Sequence, residues 1–212
     1  TTTGNTRPGR DAATGRAKQV PRYLRRIAVL AILAFGAVDG AGRTIWYEID
    51  SDASQIAFVA QSRVTKAHGL FRKWDFKGKI SGNFHVVGDL VLECASIDTD
   101  NDRRDYHLKG PDFFDCPDFP QHTFRVKSVK PDSGNVQKAT RFELEGELTI
   151  RGRSKTLAIT LLREGNDERT TLTSSTFIDR EDFGITYNSA LNPIEKNIRI
   201  DIRLVLNRRT RG

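Results

Sequence analysis

The residues best suited to chemistry are concentrated in one stretch, DRRDYHLKGPDFFDCPDFP, at residues 102–120. It contains five aspartates, two arginines, one histidine and one cysteine around a Phe-Phe pair. A covalent hydrolase needs a nucleophile, a base and an orienting group in contact, and Cys116, His107 and Asp105 are of the types that fill those roles. The same residue types could bind a metal ion, and a charged piece of scaffold is the third interpretation.

The spacing within the stretch argues against both kinds of chemical site. No nucleophile-elbow motif is present, and Asp105 and His107, two residues apart on a helix, point to different sides. The two cysteines and four histidines of the chain are scattered without the spacing of a zinc site. We therefore predict no catalytic residues, no metal and no cofactor, and keep a hydrolase-like enzyme as an alternative.

The charges of the stretch fit a short helix. Thr99, with an aspartate three residues later, resembles a capping box, and acidic residues in the first turn suit the helix dipole. Asp105 and Lys109 have the i,i+4 spacing of an ion pair, and a Gly-Pro pair then ends the helix. We predict a short helical insertion between two strands, whose Phe113 and Phe114 pack against an apolar surface.

Alternation of apolar and polar residues dominates the chain from Thr44 onward. RFELEGELTI at 141–150 places apolar residues and a glycine on one face and three glutamates on the other, and NIRIDIRLVL at 197–206 repeats the pattern. Such alternation predicts strands with one apolar face. We predict about eight strands, at 44–50, 53–63, 70–84, 87–97, 121–130, 138–150, 155–163 and either 169–178 or 195–206. Because turn-rich joints suggest hairpins and closure removes exposed edges, the predicted fold is all-β, an eight-stranded antiparallel barrel with a short helical insertion.

The head of the chain has the residue order of a secretory signal. The segment RYLRR at 22–26 is basic, IAVLAILAFGAV at 27–38 is apolar, and DGAG at 39–42 consists mostly of small residues. Twelve helical residues reach about 18 Å, short of a bilayer core of roughly 30 Å. We predict a signal peptide at 22–42, with a buried helix or a single membrane anchor as alternatives.

The predicted signal peptide sets the boundaries of the other segments and the state of the two cysteines. Residues 1–21 are predicted to be a disordered or upstream segment, and 43–212 to form one barrel domain. Cleavage before Ala41 is expected, although an earlier site would also serve. In an exported protein Cys94 and Cys116 could form a disulfide, and two unpaired buried cysteines are the alternative.

The basic character of the chain does not extend to the predicted domain. The formal net charge is +7, but residues 1–42 hold seven of the 34 Lys and Arg and two of the 27 Asp and Glu, which leaves 27 against 25 elsewhere. A nucleic-acid-binding domain would carry a basic surface of its own. We therefore predict no nucleic-acid partner.

Several phrases together resemble the YceI family, in order from about Trp46 to Leu206. They are YEIDSDASQIAFVAQS, GLFRKWDFKGKISG, SIDTDNDRRDYHLKGPDFFDCPDFPQHTF, GELTIRGRSKTL and IDREDFGI. The family's Arg-Asp-x-His-Leu and Asp-Phe-Phe phrases fall on residues 104–108 and 112–114, and its Asp-Arg-x-x-Phe-Gly phrase on 179–184. The resemblance implies a lipocalin-like barrel, exported to the bacterial periplasm, which binds a polyisoprenoid and is often a homodimer.

The predicted function is to bind, and to carry or sequester, a long-chain apolar lipid inside the barrel, either a polyisoprenoid or a fatty-acid-like chain. The polar head of the lipid is expected at the mouth, near Arg104 or Lys109. A hydrolase-like enzyme and a ligand-free interaction module are the alternatives. The predicted ligand-binding residues are Ile56, Phe58, Phe84, Phe113, Phe114, Phe124, Phe142, Leu144, Leu157, Ile159 and Ile200.

Overall fold

The computed structural model describes residues 37–211, which form eleven strands and one α-helix. The predicted segment 1–21 and most of the predicted signal peptide lie outside the described residues. The elements are β1 (Thr44–Ile49), β2 (Gln55–Gln61), β3 (Lys66–Phe71), β4 (Trp74–Ser81), β5 (Val86–Glu93), β6 (Ile97–Asp98), α1 (Asp102–Lys109), β7 (Gln121–Pro131), β8 (Arg141–Ile150), β9 (Arg153–Gly165), β10 (Arg169–Asp179) and β11 (Asn197–Arg211).

The strands close into an antiparallel barrel. Hydrogen-bonded neighbours run β1-β4-β5-β7-β8-β9-β10-β11, and β1 pairs with β11 to complete the ring of eight. The short strands β2, β3 and β6 continue β1, β4 and β5 past interruptions, because β2 also pairs with β11, β3 with β2, and β6 with β3. The predicted eight-stranded antiparallel barrel with one short helix is confirmed.

Both of the last two predicted strands are present, as β10 and β11, so neither replaces the other. The predicted strand 70–84 is broken between Phe71 and Trp74 and ends at Ser81. In the part of the chain that the structure describes, no helix is long and apolar enough to cross a membrane.

The alternating pattern of β8 shows how the sequence builds the wall. Phe142, Gly146 and Ile150 are buried, whereas Glu143 and Glu145 between them are exposed. Similar inward residues from the other strands pack into one cluster around Phe142 and Leu206. A second cluster, around Phe113 and Phe183, lies where the helical insertion meets the barrel.

One end of the barrel is closed by stacked rings. Phe84, in the turn after β4, adopts a positive φ of 56° and lies with its ring centroid 4.8 Å from those of Tyr47 and Phe142. The guanidinium of Arg163 covers the Phe84 ring, 5.3 Å from its centroid. We call the stacked rings around Phe84 the plug. The strands β3 and β4 run along the barrel from the turn at Thr65 to the plug. The turn at Thr65 and the helical insertion therefore lie at the end of the barrel opposite the plug.

The helical insertion begins two residues later than predicted. Asn101, not Thr99, is the N-cap, and its side chain accepts a 2.9 Å hydrogen bond from the Arg104 amide. The predicted ion pair of Asp105 with Lys109 was wrong, because Asp105 is buried and accepts hydrogen bonds from the amide and hydroxyl of Thr99. The helix is thereby fastened to the chain that precedes it.

A disulfide joins the two ends of the insertion. Cys94 follows β5 and Cys116 precedes β7, and their Cα atoms are 5.4 Å apart. The alternative of two unpaired buried cysteines was therefore wrong. Neither cysteine lies in α1, whose buried residue is Asp105. The disulfide therefore holds the insertion against the barrel from both of its ends.

Candidate ligand-binding site in the barrel

An inner cavity of about 170 Å³ lies in the middle of the barrel, enclosed by inward side chains of the strands. His122 and Thr176 are the polar residues among the described residues that line it; the others are apolar. Nine of the eleven predicted ligand-binding residues line this cavity. They are Ile56, Phe58, Phe84, Phe124, Phe142, Leu144, Leu157, Ile159 and Ile200.

An outer cavity of about 310 Å³ lies at the end of the barrel that carries the helical insertion. Phe113 and Phe114, the other two predicted ligand-binding residues, line it together with Phe58. Phe58 borders both cavities, so it stands where they adjoin. The structure thus places the predicted residues along one path, and their contact with a ligand stays a prediction.

Four rings form a partition between the two cavities. The Phe71 centroid lies 6.1 Å from each of the Phe58, Phe114 and His122 centroids, and Phe114 lies 5.3 Å from His122. We call these four residues the aromatic partition. Because the opposite end of the barrel is plugged, a chain that reaches the inner cavity from the outer one must pass it.

Two arginines give the outer cavity positive charge. The Arg104 guanidinium donates hydrogen bonds of 2.8 and 2.7 Å to the hydroxyl and carbonyl of Thr99. Arg180 is buried and donates to the carbonyls of Ile185, Ile194 and Glu195, which holds the loop between β10 and β11 in place. Arg180 also lies 4.0 Å from a Glu181 carboxylate oxygen, which compensates part of its charge, and the positive charge that remains at the mouth favours a negative or strongly polar group.

The outer cavity also contains polar groups that were not predicted. Asn192 lines it, and its buried Oδ1 atom has no hydrogen-bond partner in residues 37–211. Tyr187 lines the same cavity and packs 4.9 Å from Phe113 and 5.0 Å from His107, measured between ring centroids. Lys109, the other predicted head-group contact, is instead beside a separate surface depression.

Comparison with known proteins agrees with this architecture. A family model described as a YceI-like domain matches residues 47–206. The chain belongs to the YceI family. The resemblance predicted from the sequence is thereby confirmed, and the matched range includes the barrel from β1 to β11.

Relatives share much of their length with this YceI-family chain. A UPF0312 protein of Pseudomonas fluorescens is 31% identical over 188 residues, which is 80% of this chain and 91% of the relative. The crystal structure of Burkholderia cenocepacia BcnA matches with a TM-score of 0.66 at 21% identity, over 74% of this chain and 99% of BcnA. A polyisoprenoid binding domain from Saccharophagus degradans matches with a TM-score of 0.61 at 18% identity, over 76% and 97% of the two chains. These two structures share the fold.

The residues considered for catalysis are not assembled in this YceI-family barrel. Cys116 has no thiol because it is bonded to Cys94, and Asp105 is engaged with Thr99. The Nε2 atom of His107 lies 3.1 Å from an Asp112 carboxylate oxygen at the surface. In the range 37–211, no group of three His, Cys, Asp or Glu side chains is arranged to hold a metal ion.

Small residues on the barrel wall do not all leave open space. Gly146 faces inward, but a Cβ there would collide with the ring of Phe124, so the ring already occupies the gap. The same holds for Gly69 and the Phe58 ring. Ser175 donates to Asp201 on the exposed outer face, because its neighbour Thr176 takes the inward position.

His122 is a polar interior residue that sequence reasoning missed. It is 2% exposed, lines the inner cavity, and has no hydrogen-bond partner for either ring nitrogen within residues 37–211. Burial lowers its pKa to about 4, an effect offset only in part by the nearby Gln121 backbone. The sequence could have predicted this position, because side chains two residues apart on a strand face the same side, and His122 therefore lies on the same face of β7 as Phe124.

Proposed function

We propose that this protein binds a long-chain apolar lipid, a polyisoprenoid or a fatty-acid-like chain, inside its barrel and carries or sequesters it in the periplasm. The observation that carries the proposal is the inner cavity, whose lining is apolar apart from His122 and Thr176. One end of the barrel is plugged at Phe84, and the other leads into the outer cavity. Such a site suits a molecule with a long apolar tail and a polar end.

Burial of the tail supplies enough free energy for useful affinity. Each buried methylene contributes about 0.8 kcal/mol, so about ten of them contribute roughly 8 kcal/mol before costs. Ordering the chain removes several kcal/mol of this, and longer chains or contacts of the head group restore it. We therefore expect a dissociation constant near the micromolar range, which corresponds to about 8 kcal/mol.

The polar end of the lipid is assigned to the end of the barrel that opens into the outer cavity. Arg104 and Arg180 bring positive charge there, and the buried Oδ1 atom of Asn192 is an acceptor without a partner among residues 37–211. The polyisoprenoid binding domain of Saccharophagus degradans, which shares the fold, supports an apolar chain as the ligand class. Binding without catalysis is proposed because the disulfide leaves Cys116, the nucleophile of the hydrolase alternative, without a thiol.

The periplasmic location rests on two features. The basic and then apolar segment at 22–38 has the order of a signal peptide. The disulfide of Cys94 with Cys116 is of a kind that persists in oxidising compartments. Sequencing the N-terminus of exported protein tests this: a start near Ala41 supports it, whereas a start near Thr1 contradicts it. The homodimer implied by the resemblance stays a prediction, which sedimentation velocity measures.

Organic extraction of exported, purified protein followed by mass analysis tests the proposed function. We expect one long-chain lipid at near-equal stoichiometry. Leu144→Glu places a charge on the inner wall and should abolish the bound lipid, whereas Leu162→Glu makes the same change on the exposed outer face and should not. Circular dichroism establishes that both variants fold. Recovery of no lipid, together with no binding of added lipid, contradicts the proposal.

A further inference from the structure

A buried histidine in an apolar cavity is costly unless something compensates it. Leaving a polar group buried without a hydrogen bond costs about 1–3 kcal/mol. Both ring nitrogens of His122 are in this position with respect to residues 37–211. An apolar side chain would fill the same place on β7 without this cost, since the partner of His122 on the neighbouring strand is Leu92.

The place of His122 along the barrel relates it to the path of a ligand. It belongs to the aromatic partition and also lines the inner cavity. Thr176, the other polar residue of that cavity, is paired with Ile200, which packs on the cluster at the same end. The hydrogen-bonding groups of the interior are therefore near the entrance of the inner cavity, and the deeper wall is apolar.

The charge state of the ring restricts which ligand group fits. Burial disfavours the imidazolium, so His122 is neutral near pH 7 and offers one N–H donor and one nitrogen acceptor. A hydroxyl matches such a ring because it both donates and accepts. An ionised carboxylate or phosphate at this depth would lack a counter-charge, which the arginines supply only in the outer cavity.

We propose that His122 is the anchor for an uncharged hydroxyl carried by the lipid, and that the protein selects long-chain alcohols over equally long chains without a hydrogen-bonding group. This inference rests on the proposed function, because it names the chemistry of a ligand bound in the same cavity. The hydroxyl meets His122 at the aromatic partition, and the chain beyond it extends along the apolar wall toward Phe84.

Matched chains test the anchor on the delipidated protein. Dodecanol, chlorododecane and dodecanoate are compared by competition against a fluorescent apolar dye. We expect dodecanol to bind about ten-fold more tightly than chlorododecane, the equivalent of about 1.4 kcal/mol. His122→Leu should abolish or reverse this preference, because the buried hydroxyl of dodecanol then lacks a hydrogen-bond partner, and His122→Gln, which keeps a donor and an acceptor, should restore part of it.

The outcomes separate this inference from the proposed function. An alcohol-to-chloride ratio that His122→Leu leaves unchanged overturns the anchor while lipid binding stands. Tighter binding of dodecanoate than of dodecanol also overturns it, because the arginines of the outer cavity would then select the ligand. Failure of all three chains to bind overturns both proposals.

A spectroscopic measurement avoids dependence on the variants. Nitrogen resonances of the His122 ring in the unsubstituted protein report directly on its hydrogen bonding. Addition of dodecanol should shift them, and addition of chlorododecane should change them little, because both chains fill the cavity but only one offers a hydroxyl. Equal shifts with the two chains would show that filling the cavity, and not a hydrogen bond, is what the ring senses.

Discussion

His122 should make the folded protein lose stability as the pH falls. Its pKa lies near 6.5 in an unfolded chain and about 4 in the folded protein, because burial penalises the charged ring. Between these values the unfolded state binds the proton and the folded state does not, so the free energy of unfolding decreases as the pH falls from 6.5 toward 4. At about 1.4 kcal/mol for each unit of pKa, the full loss is about 3 kcal/mol.

His122→Leu isolates this effect from the other acid-sensitive groups. Backbone hydrogen bonding lowers the pKa of Asp50, through the Ala53 amide first, and that of Asp98, through the Asp100 amide first. Stability that depends on these carboxylates is also lost as the pH falls through their folded pKa values. Because the variant retains both carboxylates, their contributions cancel when the two proteins are compared at each pH.

Urea unfolding followed by tryptophan fluorescence measures the comparison. The variant should gain about 3 kcal/mol relative to the unsubstituted protein between about pH 7 and about pH 4. Leucine also removes the two ring nitrogens that lack a hydrogen-bond partner within residues 37–211, so the variant is expected to be no less stable at neutral pH. A stability difference that stays constant across this pH range would refute the argument, because it would mean that the ring does not change its protonation on unfolding.

Three further changes test the site and its support. Replacing Cys94 and Cys116 by alanine should cost about 3 kcal/mol, since their bridge spans 22 residues, and should lower the melting temperature by about 10 °C. Phe113→Ala should change lipid affinity or chain-length preference in a binding titration and leave circular dichroism unaltered. Gly146→Ala should cost about 1–3 kcal/mol in urea unfolding and weaken lipid binding, whereas Gly134→Ala, with open space around it, should do neither.

The residues that face the inside of the barrel could be predicted from the sequence, because the direction of each side chain depends only on its position along its own strand. Side chains alternate between the two faces of any strand, so a period of two identifies which residues of β8 face inward. The inward assignment of Leu144, Leu157 and Ile159 follows from that period alone, and the cavity lining agrees. Closure of the barrel could be expected for a related reason, since each hairpin joins neighbouring strands and leaves two edges to be paired.

The details of the helical insertion could not be predicted in the same way. Thr99 and Asn101 are both good N-cap residues, and the choice depends on the buried carboxylate of Asp105, which engages Thr99. The disulfide depends on the distance between Cys94 and Cys116 in the folded chain, which their spacing in the sequence does not determine. Phe84 was expected in a strand, but its positive φ places it in a turn that plugs the barrel.

The size of the inner cavity bears on how a long chain is accommodated. About 170 Å³ is less than the roughly 300–1,000 Å³ of typical ligand sites, so a long chain has to displace side chains from the interior. The rings of Phe58 and Phe124 are suited to this, because each lies over a glycine. Rotation of a ring away from its glycine exposes backbone at that position of the wall. We therefore expect chain-length preference to depend on these two rings, with Phe58, which borders both cavities, controlling entry.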